Sequence, residues 1–357
     1  MSHVKKYDVV AICAPCIELN MQVDDEHIDY HGFKKGLTNP VDEKKLAALI
    51  KGVKGLTKAP GGPGANVATG IALRGGTSAL IGKIANDEHG AFLTTRLRSN
   101  GVYYAPALSL GTADITTCVM VLTTPDKERT FAFTGSSAYN ITPEDIDAAQ
   151  TETALISQAR IAYFDSYLWL SESGKKTVHH AAAVAKKSGS KIALALNDAD
   201  IVAQNRVDFL VLATTHADIL LGDRKEFMSL FGTSTLNETV AAVIASGCIA
   251  AITDAAHGVH IIENEKSTHI AAKKVSYIVD TCGAGDQFAA GFLYGLVQGK
   301  SAVESGSIGT AWAAEVLQHI GAEPKVGKNA PQLSLFPQKD LPLADEAYLQ
   351  EGCGGRA

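Results

Sequence analysis

The stretch with the greatest chemical capacity is Asp280-Thr281-Cys282-Gly283-Ala284-Gly285-Asp286-Gln287. Two glycines close a loop, and an apolar helix pattern begins at once with Phe288-Ala289-Ala290-Gly291. Such a turn aims backbone N–H groups at one point, at the positive end of a helix. That point suits a phosphate or a developing anion. Asp286 brings a carboxylate to the same place. Beside a bound anion alone it would be repulsive; as the acceptor of a proton from a hydroxyl attacking phosphorus it makes sense. The plain structural alternative is a glycine-rich N-cap with an acid favoured by the helix dipole. On the residues alone, both readings stand.

A second stretch, Cys13-Ala14-Pro15-Cys16, has the spacing and the proline of a redox dithiol. A redox pair opens a helix, whose dipole lowers the thiol pKa. Here the following residues 17–23 alternate apolar and polar with period two, which is a strand pattern. The other cysteines, at 118, 248, 282 and 353, are isolated, so neither a four-ligand zinc site nor a disulfide framework is expected. The pair reads as buried or edge thiols on a first strand. The residue of interest next to it is Glu18.

These residues sit in a chain of 357 with 46% apolar and 20% charged residues and a net charge of −6. That composition fits a globular protein with a real core. It gives no electrostatic attraction to nucleic acid or to an anionic membrane. No secretory h-region and no spanning apolar stretch is read, so a cytoplasmic location with reduced thiols is expected.

The elements that must carry the chemistry alternate. Strand patterns fall at 7–13, 78–84, 117–123, 130–134, 161–165, 191–196, 218–221, 248–253 and 258–262, and helix patterns at 64–74, 88–99, 143–150, 172–187, 236–246, 286–297 and 302–319. Alternation of short buried strands with helices predicts an α/β fold, a doubly wound and mostly parallel sheet flanked by helices. Residues 16–35 and 112–135 carry strand patterns with few helices between them, and read as a small β-sheet lid over one edge. Residues 1–330 form the expected domain, with 331–357 as an extension and tail.

The run "DTCGAGD" resembles the DTxGAGD signature of the ribokinase-like (PfkB) carbohydrate and nucleoside kinases. A second segment agrees: Gly61-Gly62-Pro63-Gly64-Ala65-Asn66-Val67-Ala68, then Leu73-Arg74-Gly75-Gly76, then Ile81-Gly82-Lys83-Ile84-Ala85-Asn86-Asp87. Within the family, 125–130, 142–146, 191–198 and His319-Ile320-Gly321-Ala322-Glu323-Pro324 look most like the adenosine kinase branch. The resemblance implies a ribokinase-like fold and a kinase using ATP and Mg²⁺, with dependence on K⁺ left open. It acts on a small nucleoside or sugar, adenosine being the first choice and ribose or fructose the alternative. The discriminating feature is an aromatic or apolar slot near Tyr167, Leu168, Phe131 and Phe133.

The resemblance also implies roles. Asp286 is the base, and Gly283, Ala284 and Gly285 form the anion hole. Gly61, Gly62 and Asn66 contact substrate hydroxyls. Glu18 stands where relatives have an Asp holding two sugar hydroxyls, and Ala14 where many have Asn. Asp223 and Glu226 match a metal-associated NxxE element with Asp in place of Asn, suited to Mg²⁺ largely through water. Their structural alternative is a helix cap. Thr253 and Gly258 belong to a TxGxxG nucleotide turn in which Ala255 replaces the middle glycine. Arg129 lies in the lid, where it could close onto phosphate. The departures at 14, 18, 223 and 255 keep open a catalytically silent binder. Exposed lid strands would allow a homodimer joined through lids as well as a monomer.

Overall fold

The computed structural model describes residues 5–50, 55–109, 111, 114–126, 128–135 and 137–325; the expected extension 331–357 lies outside them. Among these residues, nine strands form the main sheet. From edge to edge they are Lys266–Ile270, Val259–Glu263, Ile249–Thr253, Ile219–Asp223, Lys191–Ala195, Ala159–Asp165, Tyr7–Ile12, Ser78–Ile81 and Tyr103–Tyr104. The pairings are parallel except for the last hairpin, where Val259–Glu263 lies antiparallel to both its neighbours. The doubly wound expectation therefore holds.

The first strand shows why the sheet is buried on both sides. Val9, Ala11 and Cys13 point into one core with Val67, Ala68, Ile71, Phe288 and Phe292. Val10, Ile12 and Ala14 point into the other with Val178, Ala181, Phe209 and Leu230. Period-two alternation of apolar residues on both faces leaves no wet side, as a parallel sheet needs. Cys13 and Cys16 are free and buried, and burial pushes both thiols well up, so the strand-thiol reading replaces the redox one.

A second sheet of five strands, ordered Thr38–Pro40, Arg129–Thr134, Cys118–Thr123, Cys16–Gln22 and Thr57–Gly61, forms the lid. It reaches further along the chain than the expected 16–35 segment. It runs on through Thr57–Gly61, and Asp25–Tyr30 is a helix started by the Asp24 side chain accepting from His27 N at 2.8 Å. The expected strand 78–84 breaks at Gly82, where Pro15 packs so closely that a Cβ would stand 2.7 Å from its ring. The last helix ends at Val316 rather than near 319, and the chain turns back through Gly321 at φ 85°.

The strand order places the site. The chain runs outward from Tyr7–Ile12 to Ser78–Ile81 on one side, then resumes with Ala159–Asp165 on the other. The crevice beyond the carboxyl ends of such a pair is where open α/β sheets bind ligands. Cys13-Ala14 and Asp165 stand there, and the lid strands leave and return beside them. Among the described residues, no helix is long and apolar enough to cross a membrane.

Candidate active site

Helix Ala284–Val297 starts at Gly283, whose backbone is left-handed (φ 73°), and among the described residues no side chain caps it. A Cβ on Gly283 would lie 2.7 Å from Ala322 Cα, so glycine is required for both its conformation and its packing. Ala284 N turns back to Thr281 O at 3.3 Å. The N–H groups of Gly283 and Gly285 have no partner among the described residues. The loop is held by Asp280: its Oδ1 accepts from Cys282 N at 2.9 Å and its Oδ2 from Gly321 N at 3.0 Å. Motif reading did not assign that role to Asp280, nor did it anticipate Ala322 as the loop's brace.

Asp286 is the third residue of this helix, half-buried, and Asn66 Nδ2 donates to its Oδ2 at 2.7 Å. Burial raises its carboxyl above the usual range and the Asn66 hydrogen bond opposes the rise. Asn66 was expected to contact substrate; here its amide nitrogen is engaged with the carboxylate.

The lid supplies the opposite wall. Glu18 is buried, and Cys282 Sγ donates to its Oε2 at 3.8 Å. Its carboxyl is pushed up to about 7, first by burial and then by the charges of Asp286 and Asp280. Gly61, on the neighbouring strand, makes room for it: a Cβ there would lie 2.7 Å from Glu18 Oε1. Gly62 (φ 94°) passes against the Ala14 carbonyl, at 2.7 Å from a built Cβ. Arg129 reaches the loop, with Nη2 donating to Thr281 Oγ1 at 3.0 Å and Nη1 3.5 Å from Asp280 Oδ1.

Registers show what else shares that wall. Glu18 stands opposite Val119, and Val119 opposite Phe133; Asn20 stands opposite Val121, and Val121 opposite Phe131. Side chains directly opposite share a face. Val119, Val121, Phe131 and Phe133 therefore lie on the face that carries Glu18 and Arg129, and the Arg129 guanidinium sits over the Phe131 ring at 5.6 Å. Tyr167 is half-buried, whereas Leu168 is fully buried in the core with Trp169 and cannot line a slot.

Along the sheet, Asp223 and Thr253 stand opposite each other at the ends of their strands. Asp223 caps helix Arg224–Phe231: its Oδ1 accepts from Glu226 N at 2.8 Å, and Glu226 Oε2 accepts from Asp223 N at 2.7 Å. Burial, then the Asp223 charge, pushes the Glu226 carboxyl up to about 8; Asp198 and Asp286 add to the rise. Among the described residues no three acidic, His or Cys side chains converge on a direct metal site. Each carboxyl keeps one oxygen with no partner among the described residues, and a divalent cation held there through water would favour the charged form of both. Thr253 Oγ1 donates to Gly222 O at 3.3 Å, and Gly258 takes φ 103°. Ala255 adopts φ 47°, so the left-handed turn of a glycine is kept by an alanine.

Asp165 has no precedent in the motifs. It ends its strand fully buried, accepts from Gly64 N at 3.4 Å and Tyr167 N at 3.2 Å, and burial pushes it up to about 7. Only the strand order, which puts it at the switch point, marks it.

The pattern described as pfkB family carbohydrate kinase matches residues 27–328. The chain belongs to the pfkB family. A probable sugar kinase from Rhizobium etli CFN 42 has the same fold, with TM-score 0.82 and 30% identity over 90% of this chain and 96% of that one. Adenosine kinase from Sinorhizobium meliloti gives 0.81 and 30%, over 90% and 97%. Among curated sequences, probable chloroplastic fructokinase-6 of Arabidopsis thaliana is 29% identical over 69% of this pfkB chain and 65% of its own length. Fructokinase of Solanum tuberosum is 33% identical over 38% and 41%. The pfkB chain thus spans less than two thirds of either fructokinase.

Proposed function

We propose that this pfkB protein transfers the γ-phosphoryl group of ATP to the primary 5′ hydroxyl of a ribonucleoside, with adenosine to AMP as the first choice. The observation that carries the nucleoside reading is the lid face. It sets one carboxylate, Glu18, beside an apolar ledge of the half-buried Val119, Phe131 and Phe133, with Val121 buried on the same face. A ligand with vicinal hydroxyls at one end and a flat ring at the other matches that division: the carboxylate accepts from the diol and the aromatic ledge covers the base.

Asn66 holds Oδ2 of Asp286, which leaves Oδ1 for the acceptor hydroxyl. Asp286 takes that proton as the oxygen bonds to phosphorus, and the proton leaves late in a loose transition state, so a weak base suffices. The N–H groups of Gly283 and Gly285 stabilise charge on the transferring group. Arg129, drawn to the loop by Asp280 and Thr281, brings the lid over the acceptor and excludes water. Thr253 and Gly258 shape the nucleotide side. Asp223 and Glu226 would hold Mg²⁺ through water, and the ion supplies charge neutralisation on the phosphates.

A sugar acceptor is the second reading, favoured by the named fructokinases and the Rhizobium protein. ADP release with Mg²⁺ across adenosine, inosine, guanosine, cytidine, ribose and fructose decides between them. Turnover on a nucleoside supports the first reading and turnover confined to a free sugar the second. Adenosine binding without ADP release would make the chain a silent binder.

A further inference from the structure

Gln287 follows Asp286 in the chain and has no solvent exposure, although its side chain is polar. One residue on turns the helix by about 100°, so Gln287 faces helix Pro63–Leu73 while Asp286 faces the crevice. Both ends of its amide are engaged. Nε2 donates to Asn66 O at 3.0 Å, and Oε1 accepts from Arg74 Nη1 at 3.0 Å. Gly70 leaves the space the amide fills: a Cβ there would overlap Gln287 Oε1 and stand 2.9 Å from Nε2. Arg74 is held in turn. Its Nη2 donates to Glu315 Oε2 at 2.9 Å, and its guanidinium lies over the Trp312 ring at 4.3 Å.

Asn66 is therefore gripped at two points by two consecutive residues. Its carbonyl accepts from Gln287 and its amide donates to Asp286. We propose that Gln287 is a positioning residue for the transfer reaction, acting through Asn66 to fix the direction and protonation state of Asp286. The proposal rests on the kinase reading above. Gln287 touches neither acceptor nor phosphate. It locks the register of the two helices at the turn where Asn66 meets Asp286, and Arg74 ties that lock to the helix Ala302–Val316. Displacement of the Asn66 amide would free Asp286 from the donor that opposes its upward shift. It would also let the carboxylate swing off the line of the hydroxyl, where an error of about an ångström costs on the order of a hundredfold in rate.

The test uses the full chain and its best acceptor from the panel, reading kcat, KM and the acid limb of the kcat–pH profile. Gln287→Met keeps the length and loses the hydrogen bonds. Gly70→Ala drives the native amide out of place without changing it, and covers the case in which Gln287→Met does not fold. Either variant is expected to lower kcat by about 10- to 100-fold with acceptor KM within about threefold. The acid limb should move to higher pH. Asn66→Ala should move it the same way, and adding Gln287→Met to Asn66→Ala should cost nothing further. An unmoved limb, or a double variant whose losses multiply, reduces Gln287 to a packing residue and overturns the proposal while leaving the kinase reading intact. A wild type that turns over no acceptor overturns both.

Discussion

Two helices begin at the same edge of the main sheet with an acid at their third position. One starts at Gly283 and carries Asp286; the other starts at Asp223 and carries Glu226. In sequence they look alike. In the structure the second is closed on itself, each carboxylate accepting the other's backbone N–H. The first has no side-chain cap among the described residues, and its acid is turned away to Asn66 on another helix. A capping box satisfies the orphan donors of a helix end; a glycine at the cap with a diverted acid leaves them for a ligand. The difference lies in what sits at the cap position and in whether a third element competes for the acid.

The largest effect should separate the two acids directly. Asp286→Asn keeps the shape and the Asn66 neighbour but cannot take a proton. It should cut kcat by about 10²- to 10⁴-fold with little change in acceptor KM. Glu226→Gln should stay within about tenfold of wild type and act through the Mg²⁺ concentration needed for half-maximal rate. Equal losses in the two variants would break the comparison.

Next comes the cap itself. Gly283→Ala forces an L residue into φ 73° against Ala322. The left-handed conformation alone costs about 1–2 kcal/mol, so the variant should melt several degrees lower, by calorimetry, and lose most of its phosphoryl transfer. Among the described residues, Gly285 has no neighbour within 4 Å of a built Cβ. Gly285→Ala should fold normally, so any rate it loses reports on ligand approach rather than on stability.

This pair also shows what can be read without coordinates. Gly283, Gly285 and Asp286 were legible as a glycine-started helix end bearing an acid; on the residues alone that end is a cap as readily as an anion site, and it is the DTxGAGD resemblance that points to chemistry. The parallel sheet was legible from strand–helix alternation. Asp165 was not: a lone acid after Ala159–Phe164 carries no spacing signal, and only the strand order puts it at the crevice. The lid was read too short because Thr38–Pro40 has three residues and Thr57–Gly61 contains a proline, so neither gives a period. Leu168 is named in the sequence only as one residue near which a slot would lie; in the 3₁₀ turn Ser166–Leu170 it is buried in the core with Trp169.

A smaller effect concerns Glu18. With its carboxyl near 7, it is largely protonated at pH 6 and ionised at pH 8. The ionised form accepts from two hydroxyls, so acceptor KM should fall as pH rises through about 7, by roughly three- to tenfold. Glu18→Gln should give a KM that is flat over the same range. A wild-type KM that does not change with pH would remove Glu18 from the acceptor site and weaken the nucleoside reading.

The smallest effect tests the closed helix end by its stability. Glu226 has an ordinary value of 4.5 and a folded value of about 8. A carboxyl raised on folding binds more protons in the native state between those values, so stability falls as pH rises through that window and levels off above it. Below about 4.5 the group contributes no pH dependence. Glu226→Gln cannot ionise, so its melting temperature should decline less steeply than that of the wild type from pH 5 to 8. The Gln amide also keeps one acceptor for Asp223 N, which limits the loss of the cap to well under the ~0.5–2 kcal/mol of a full deletion. Mg²⁺ at millimolar concentration should restore the wild type at pH 8 and leave the Gln variant nearly unmoved, because a cation stabilises only the form that carries the charge. Parallel pH curves for the two proteins would place the strain elsewhere and leave Glu226 a cap and nothing more.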